Sequence, residues 1–184
     1  LEPCGNGLFR LKGEFAADDI PDVCRADVFF MLSTEISSIY TKYGKTRKVH
    51  SLILVPYIDD AEKIQKALSR LGNIKSDGRP ILGLDAKTLL EIVLDICPDA
   101  LIIPAHAWTP HFSVFGASSG FDSLYECYED RVCHISAIET GLSSDPSMNW
   151  MLSALDDISL ISNSDAHSPS KLGREANIFN TELS

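Results

Sequence analysis

The chain contains several short apolar runs, each of which ends in a charged side chain or a histidine. Four of them end in Glu35, His106, Glu139 and the pair Asp165 and His167. Runs this short and this apolar, separated by helical segments, are typical of a parallel sheet buried on both faces. Because parallel strands present functional side chains at their carboxyl ends, these tips are expected to meet at one edge of the sheet.

Helical periodicity predicts two amphipathic helices between these runs. The first spans residues 59–71, opens on two aspartates and is closed by Gly72. The second follows Asp85, whose side chain is expected to cap it, and ends before Pro98. Both helices carry one apolar stripe, so each is expected to pack against the sheet.

A hairpin is predicted after the strand at 27–36. Its arms are 39–41 and 48–55, joined around Gly44, which tolerates a positive φ. Weaker patterns predict the remaining elements, namely strands at 7–11, 100–105, 134–139 and 159–163, helices at 121–128 and 148–157, a polar connection at 16–24, and a loop at 73–80 with an Asp-Gly turn.

Length and composition favour one globular domain covering 1–184. The chain has 184 residues, is 45% hydrophobic and carries a formal net charge of −10. That charge opposes non-specific attraction to DNA, so a DNA contact would need a local basic patch or bound cations. The first residue is Leu1 rather than Met, which predicts that the natural start lies upstream.

Cysteine content and hydropathy indicate the cellular compartment of the protein. Five cysteines without a Cys-x-x-Cys spacing favour neither a disulfide framework nor a structural zinc knuckle, so a reducing, cytoplasmic location is expected. No apolar run is long enough to predict a membrane span, and no secretory leader is recognised.

Asp165 and His167 are the strongest candidates for metal ligands. Two residues apart at the end of a strand, they leave the sheet side by side. The alternative is that Asp165 caps the following turn while His167 satisfies a local carbonyl. The metal interpretation is favoured because the other strands also end in ligand-type residues.

The other tips extend this candidate site. A carboxylate at the end of so apolar a strand needs a cation to offset its desolvation, which favours Glu35 as a metal ligand. His106 follows another apolar strand and is expected to lie at the same edge of the sheet as the other candidate ligands. Glu139 could be a ligand, a partner of a histidine, or a base. His111, in the loop after His106, could support the site or face the substrate.

A basic cluster surrounds the hairpin turn. Lys45, Arg47 and Lys48, together with Lys42, precede His50 on the second arm. The cluster is either a solvated hairpin tip or a contact to a phosphate backbone, and the sequence does not decide between the two.

Histidine and carboxylate ligands without cysteine suit zinc, manganese or iron. Several such ligands on one face can hold more than one metal, which activates water and neutralises charge on a phosphoryl group. The chain has neither a P-loop nor a Gly-x-Ser-x-Gly elbow. Metal-dependent hydrolysis is therefore favoured over nucleotide-triphosphate and serine-hydrolase chemistry.

Six motifs together resemble the PHP (polymerase and histidinol phosphatase) superfamily, and within it the endonuclease Q branch, whose enzymes nick DNA beside deaminated bases. They are residues 34–37, 47–50, 71–80, 104–110, 139–146 and 163–169. The resemblance covers nearly the whole chain.

The resemblance implies a distorted (βα)7 barrel with up to three divalent metals, zinc or manganese, at the carboxyl ends of its strands. Glu35 would be the bridging carboxylate, His50 and His106 imidazole ligands, and Asp165 with His167 the closing pair. The implied reaction is attack of activated water on a phosphodiester of DNA, with Asp165, Glu35 and Glu139 as the catalytic carboxylates.

One departure from the family is large. Family members open with a His-x-His strand, and residues 1–34 contain no histidine. The chain therefore resembles the barrel without its first one or two βα units, and is expected to bind metal incompletely as a separate species. Two alternatives stay open: a phosphatase acting on small esters of the histidinol phosphate type, and a non-catalytic metal-binding module.

Overall fold

The computed structural model describes residues 1–15, 20–75 and 79–180. Part of the predicted polar connection (16–19), the predicted Asp-Gly turn (76–78) and the last four residues (181–184) lie outside the described residues.

Eight strands and four α-helices are described. The strands are β1 (Glu2–Gly5), β2 (Leu8–Arg10), β3 (Phe29–Lys42), β4 (Lys45–Val55), β5 (Ile81–Leu82), β6 (Leu101–Pro104), β7 (Ala137–Glu139) and β8 (Ser159–Ile161). The helices are α1 (Ile58–Leu68), α2 (Ala86–Ile96), α3 (Leu124–Tyr128) and α4 (Pro146–Asn149), with short 3₁₀ turns between them.

The main sheet is mostly antiparallel. Strands β1, β2, β3, β4 and β6 lie side by side in that order with every neighbouring pair antiparallel, and β5 pairs in parallel with β3. A separate parallel pair joins β7 to β8. The mixed α/β class is confirmed, but the prediction of a parallel main sheet is wrong, and the described strands do not close a barrel.

The long β3–β4 hairpin explains the difference. Burial alternates along the end of β4, where Ile53 and Val55 are buried on the core side and the residues between and before them are only partly buried. His50 lies on the face opposite to Ile53 and Val55. Alternation of this kind belongs to a sheet with one covered face, which antiparallel strands tolerate. Glu35 therefore lies within β3 rather than at its carboxyl end, which corrects the predicted strand tip.

The core lies between one face of this sheet and α1, α2 and α3. On α2, the residues Ala86, Leu89, Leu90 and Val93 are buried at helical spacing. The Asp85 side chain accepts a hydrogen bond from the backbone N–H two residues on, at 2.8 Å, so the predicted cap is confirmed.

The C-terminal third is less regular than the sequence predicts. The expected helix at 148–157 is wrong: α4 ends at Asn149, and a 3₁₀ turn at Ser153–Leu155 follows. Asn149 is buried and accepts a hydrogen bond from the Trp108 indole at 2.8 Å, so tertiary contacts fix this segment. In the part of the chain that is described, no helix has the length and apolar character needed to cross a bilayer.

Candidate metal centre

The hairpin places Glu35 and His50 together. Glu35 pairs with Leu52 and Ser37 pairs with His50, so the two functional side chains are diagonal neighbours on one face. Glu35 Oε1 lies 2.9 Å from His50 Nδ1. The His50 ring also packs against the Phe112 ring, with centroids 4.8 Å apart, which fixes its orientation.

His106 joins them from the loop after β6. The backbone N–H of Ala105 donates to the His50 carbonyl at 3.0 Å, which brings this loop to β4. His106 Nε2 then lies 3.1 Å from His50 Nδ1 and 3.5 Å from Glu35 Oε1. His106 has a φ of 31°, an uncommon value for a residue with a side chain, as is found at functional sites.

The three ligand atoms fit a single cation. They all lie within 4.8 Å of one another, and the separations of 2.9, 3.1 and 3.5 Å are close to the roughly 3.3 Å edge of a tetrahedron with zinc-type bond lengths. Glu35 Oε1 is buried and makes no aligned hydrogen bond with any described residue. A buried carboxylate oxygen facing two imidazoles without a hydrogen bond is the arrangement expected of a metal ligand.

Thr109 selects the tautomer of His106. Its hydroxyl lies 2.9 Å from the His111 carbonyl and 3.2 Å from the His106 carbonyl, so its proton is donated to a carbonyl. The hydroxyl oxygen can then only accept from His106 Nδ1, 3.0 Å away. His106 Nε2 is thus the nitrogen that can lose its proton and bind a metal.

Replacing Thr109 tests this arrangement. We expect Thr109→Val to weaken zinc binding by about 10–100-fold, because the imidazole loses the group that orients it. Thr109→Ser, which keeps the hydroxyl, should bind zinc as the parent does. Competition with a chromophoric chelator measures both affinities, and equal affinities for the valine and serine variants would contradict the assignment.

Burial and mutual charge set the protonation of the cluster. Burial opposes ionisation of Glu35, but the nearby His106 and His50 imidazoles and the Arg79 guanidinium outweigh it, so the pKa of Glu35 lies well below its usual range. Burial lowers the pKa of His50, and Glu35 offsets this only in part. For His106 burial also lowers the pKa, but Glu35 and other nearby carboxylates outweigh it and the pKa is raised.

These shifts predict how zinc binding depends on pH. His106 keeps its proton above its ordinary pKa of 6.5, and zinc must displace that proton. We therefore expect zinc affinity to rise by up to about tenfold per pH unit below the raised pKa of His106 and to level off above it, with up to one proton released per zinc. Calorimetric titration in buffers of different ionisation enthalpy measures the release, and a pH-independent affinity would contradict the prediction.

The Glu139 carboxylate supports His106 by a hydrogen bond to the His106 backbone. Its Oε2 accepts the His106 backbone N–H at 2.7 Å, and its Oε1 accepts the Asn163 side-chain amide at 2.9 Å. Glu139 is buried, which raises its pKa despite these hydrogen bonds. Of the three roles left open by the sequence, the geometry favours that of a partner of a histidine, because both carboxylate oxygens are occupied.

Asp165 and His167 lie outside the three-residue cluster. Asp165 is near enough for its charge to contribute to the raised pKa of His106. His167 is exposed, and its Nδ1 lies 2.9 Å from the Asp165 backbone carbonyl and 3.8 Å from the Asp165 carboxylate. Asp165 has a φ of 44°, held in part by a hydrogen bond from Arg174 to its carbonyl. The structure thus groups three of the five predicted ligands.

The basic hairpin is less exposed than the sequence predicts. Arg47 is buried, its guanidinium lies 4.2 Å from the Phe121 ring centroid, and it donates to the Gly120 carbonyl. Packing and hydrogen bonds thus engage the Arg47 guanidinium in this structure, and a phosphate contact by Arg47 stays a prediction. Lys42 is neutralised in the same region by Glu129, with its ammonium 2.8 Å from the carboxylate.

Three predicted substrate contacts retain some access to solvent. Lys45 and His111 are exposed, and Lys48 is partly exposed with its ammonium 5.1 Å from the Phe112 ring centroid. Because Phe112 also contacts His50, Lys48 lies on the same side of the sheet as the cluster. These positions stay predictions for substrate binding.

Sequence reasoning missed several residues of the site. Thr109, Asn163 and Arg79 each contact a predicted site residue, yet none was singled out. All three lie in motifs that carry the family resemblance, and that was the available signal. Their roles depend on distances across the fold, which local patterning does not encode.

Comparison with known proteins found two similar curated sequences. No protein-family model matches the chain. An uncharacterized protein of Bacillus subtilis, YqxK, is 38% identical over 132 residues, which are 70% of this chain and 32% of that protein. An uncharacterized protein of Methanocaldococcus jannaschii is 42% identical over 74 residues, which are 39% of this chain and 9% of that protein. The chain thus spans a third or less of the curated relatives it matches.

One solved structure is similar across nearly the whole chain. It is endonuclease Q in complex with a 27-mer duplex substrate that has an abasic lesion at the active site. The match has a TM-score of 0.73 and 32% sequence identity, and covers 94% of this chain and 38% of that chain. The chain therefore has an endonuclease Q-like fold, and corresponds to somewhat more than a third of that protein.

Proposed function

We propose that this chain is part of a metal-dependent endonuclease that hydrolyses a phosphodiester of DNA beside a damaged base. The observation that carries the proposal is the Glu35, His50 and His106 cluster, set in an endonuclease Q-like fold. The fold match supports DNA as the substrate class, because the neighbouring structure holds a damaged duplex at its active site.

The donor set fits zinc or manganese. Imidazole nitrogens are typical zinc ligands, and carboxylate oxygens suit both zinc and manganese. Three protein ligands leave a coordination position open. A divalent ion held there supplies Lewis-acid chemistry for phosphodiester hydrolysis. Asp165 and His167 are proposed to complete a site of up to three metals.

The chain's own residues have distinct tasks in this proposal. Glu35, His50 and His106 hold the metal, Thr109 and Glu139 hold His106 in its binding orientation, and the buried sheet face keeps β3 and β4 in register. Lys48 offers positive charge on the face of the sheet that carries the cluster, and Lys45 offers it at the hairpin turn. Cations held at the site would also offset the net charge of −10.

Nicking of damaged DNA tests the proposal. The full-length gene product is incubated with manganese or zinc and a duplex carrying one deoxyuridine, deoxyinosine or abasic site, and strand cleavage is resolved on a denaturing gel. We expect cleavage of the damaged strand and little cleavage of the undamaged duplex, which serves as the control. Absence of nicking with every metal and lesion would refute the proposal.

The same preparation separates the two alternatives. A small-molecule phosphatase would release phosphate from phosphomonoesters and leave every duplex intact. A non-catalytic module would do neither, yet would lose thermal stability on removal of metal by a chelator.

A further inference from the structure

Arg79 lies beside the candidate metal centre, and among the described residues Glu35 is its one ion-pair partner. Its Nε is 3.0 Å from Glu35 Oε1. That nitrogen is buried and makes no aligned hydrogen bond with any described residue. No other lysine or arginine in the described residues is within ion-pair distance of Glu35, and the Arg79 guanidinium has no second carboxylate within reach there.

The backbone holds Arg79 in this position. The following residue, Pro80, is buried, and its carbonyl accepts the Ser37 backbone N–H at 2.9 Å. Strand β5 then runs parallel to β3, with Ile81 paired to Ser37. Arg79 is thus fixed next to Glu35 by the sheet, and its side chain is only 30% exposed.

A structural ion pair explains this arrangement poorly. Stable arginine–carboxylate pairs frequently align two N–H groups with the two oxygens, whereas here the buried Nε lies 3.0 Å from one oxygen without alignment. A fixed guanidinium beside a cation site is also repelled by the cation, unless an anion lies between them. Metal and arginine clamps on phosphoryl groups have this composition, because the planar guanidinium matches two phosphate oxygens.

We propose that Arg79 binds a non-bridging oxygen of the phosphate that undergoes hydrolysis at the candidate metal centre. The inference rests on the proposed function for the identity of the phosphate as a DNA phosphodiester. The contact between Arg79 and a phosphate oxygen applies to any phosphate ester at this site. Arg79 is thereby a substrate-binding residue, and Glu35 is left free to bind the metal.

Phosphate binding tests the inference without turnover. The full-length gene product is loaded with zinc, freed of excess metal, and titrated with inorganic phosphate by calorimetry. We expect Arg79→Ala to weaken phosphate binding about tenfold or more with unchanged zinc content. Arg79→Lys keeps the positive charge but loses the planar pair of N–H donors, so its phosphate affinity should lie between those of the parent and the alanine variant. Arg70→Ala is the matched control, since Arg70 is exposed beyond the end of α1.

DNA binding gives a second measurement. Affinity for a fluorescent duplex with one abasic site is followed by anisotropy across salt concentrations. Arg79→Ala should reduce the slope of log affinity against log salt by about one, and Arg70→Ala should not.

Two results would overturn the inference. One is unchanged phosphate affinity in zinc-loaded Arg79→Ala. The other is loss of zinc from that variant with normal phosphate affinity once zinc is restored, which would make Arg79 a support for Glu35. A parent protein that binds phosphate through Arg79 yet never nicks damaged DNA would refute the proposed function and still support the contact.

Discussion

Glu35→Gln in the full-length gene product is expected to lower zinc or manganese affinity by at least about a hundredfold and to abolish nicking of damaged DNA. The substitution keeps the shape of the side chain but removes the charge that draws the metal between His50 and His106. It also leaves Arg79 facing a neutral amide rather than a carboxylate. Metal content by mass spectrometry and strand cleavage on a gel are the measurements.

The control is Glu62→Gln. Glu62 is an exposed carboxylate on α1, paired only loosely with Lys66 at 3.5 Å, so its removal changes the net charge equally without touching the cluster. It should bind metal and cleave as the parent does. Normal metal content in Glu35→Gln would contradict the assignment of Glu35 as a ligand.

Gly141→Ala is expected to destabilise the protein by roughly 2–5 kcal/mol and to displace His106. A Cβ at this position would lie 2.7 Å from His106 Cβ and 3.0 Å from His106 Cα, and Gly141 has a φ of 60°. The backbone therefore approaches His106 too closely for any side chain. Urea unfolding of the metal-free protein and zinc affinity are the measurements.

Gly44→Ala is the matched control for this substitution. Gly44 has a φ of 72° at the hairpin turn, and nothing lies within 4 Å of its added Cβ. It should lose only the roughly 1–2 kcal/mol that a left-handed alanine costs, with zinc affinity unchanged. Equal losses of stability and zinc affinity in the two variants would show that the contact with His106 has no effect.

The predictions from the sequence succeeded where local periodicity decides the structure. Helix α2 and its Asp85 cap follow from apolar spacing and one capping residue. The hairpin turn around Gly44 was also predicted, although the strand at 27–36 and the first arm at 39–41 form one continuous strand, β3. Strand direction did not follow, because short apolar runs look alike in parallel and antiparallel sheets. The expected helix at 148–157 failed because buried Asn149 and its partners override the local pattern.

The site was predictable only in part, because several of its contacts depend on tertiary packing rather than on local pattern. Glu35 and His106 were singled out by their place after apolar runs, whereas His50 as a ligand came from the family resemblance alone. Arg79, Thr109 and Gly141 act through distances of about 3 Å across the fold. Such contacts depend on tertiary packing, so no spacing along the chain encodes them.

The most direct test of the metal centre is anomalous diffraction from crystals of the full-length gene product grown with zinc. Data collected above and below the zinc absorption edge locate the ion independently of any assumed ligand. We predict an anomalous peak about 2.0–2.2 Å from Glu35 Oε1, His50 Nδ1 and His106 Nε2. An absence of anomalous density within coordinating distance of these three atoms would contradict the account.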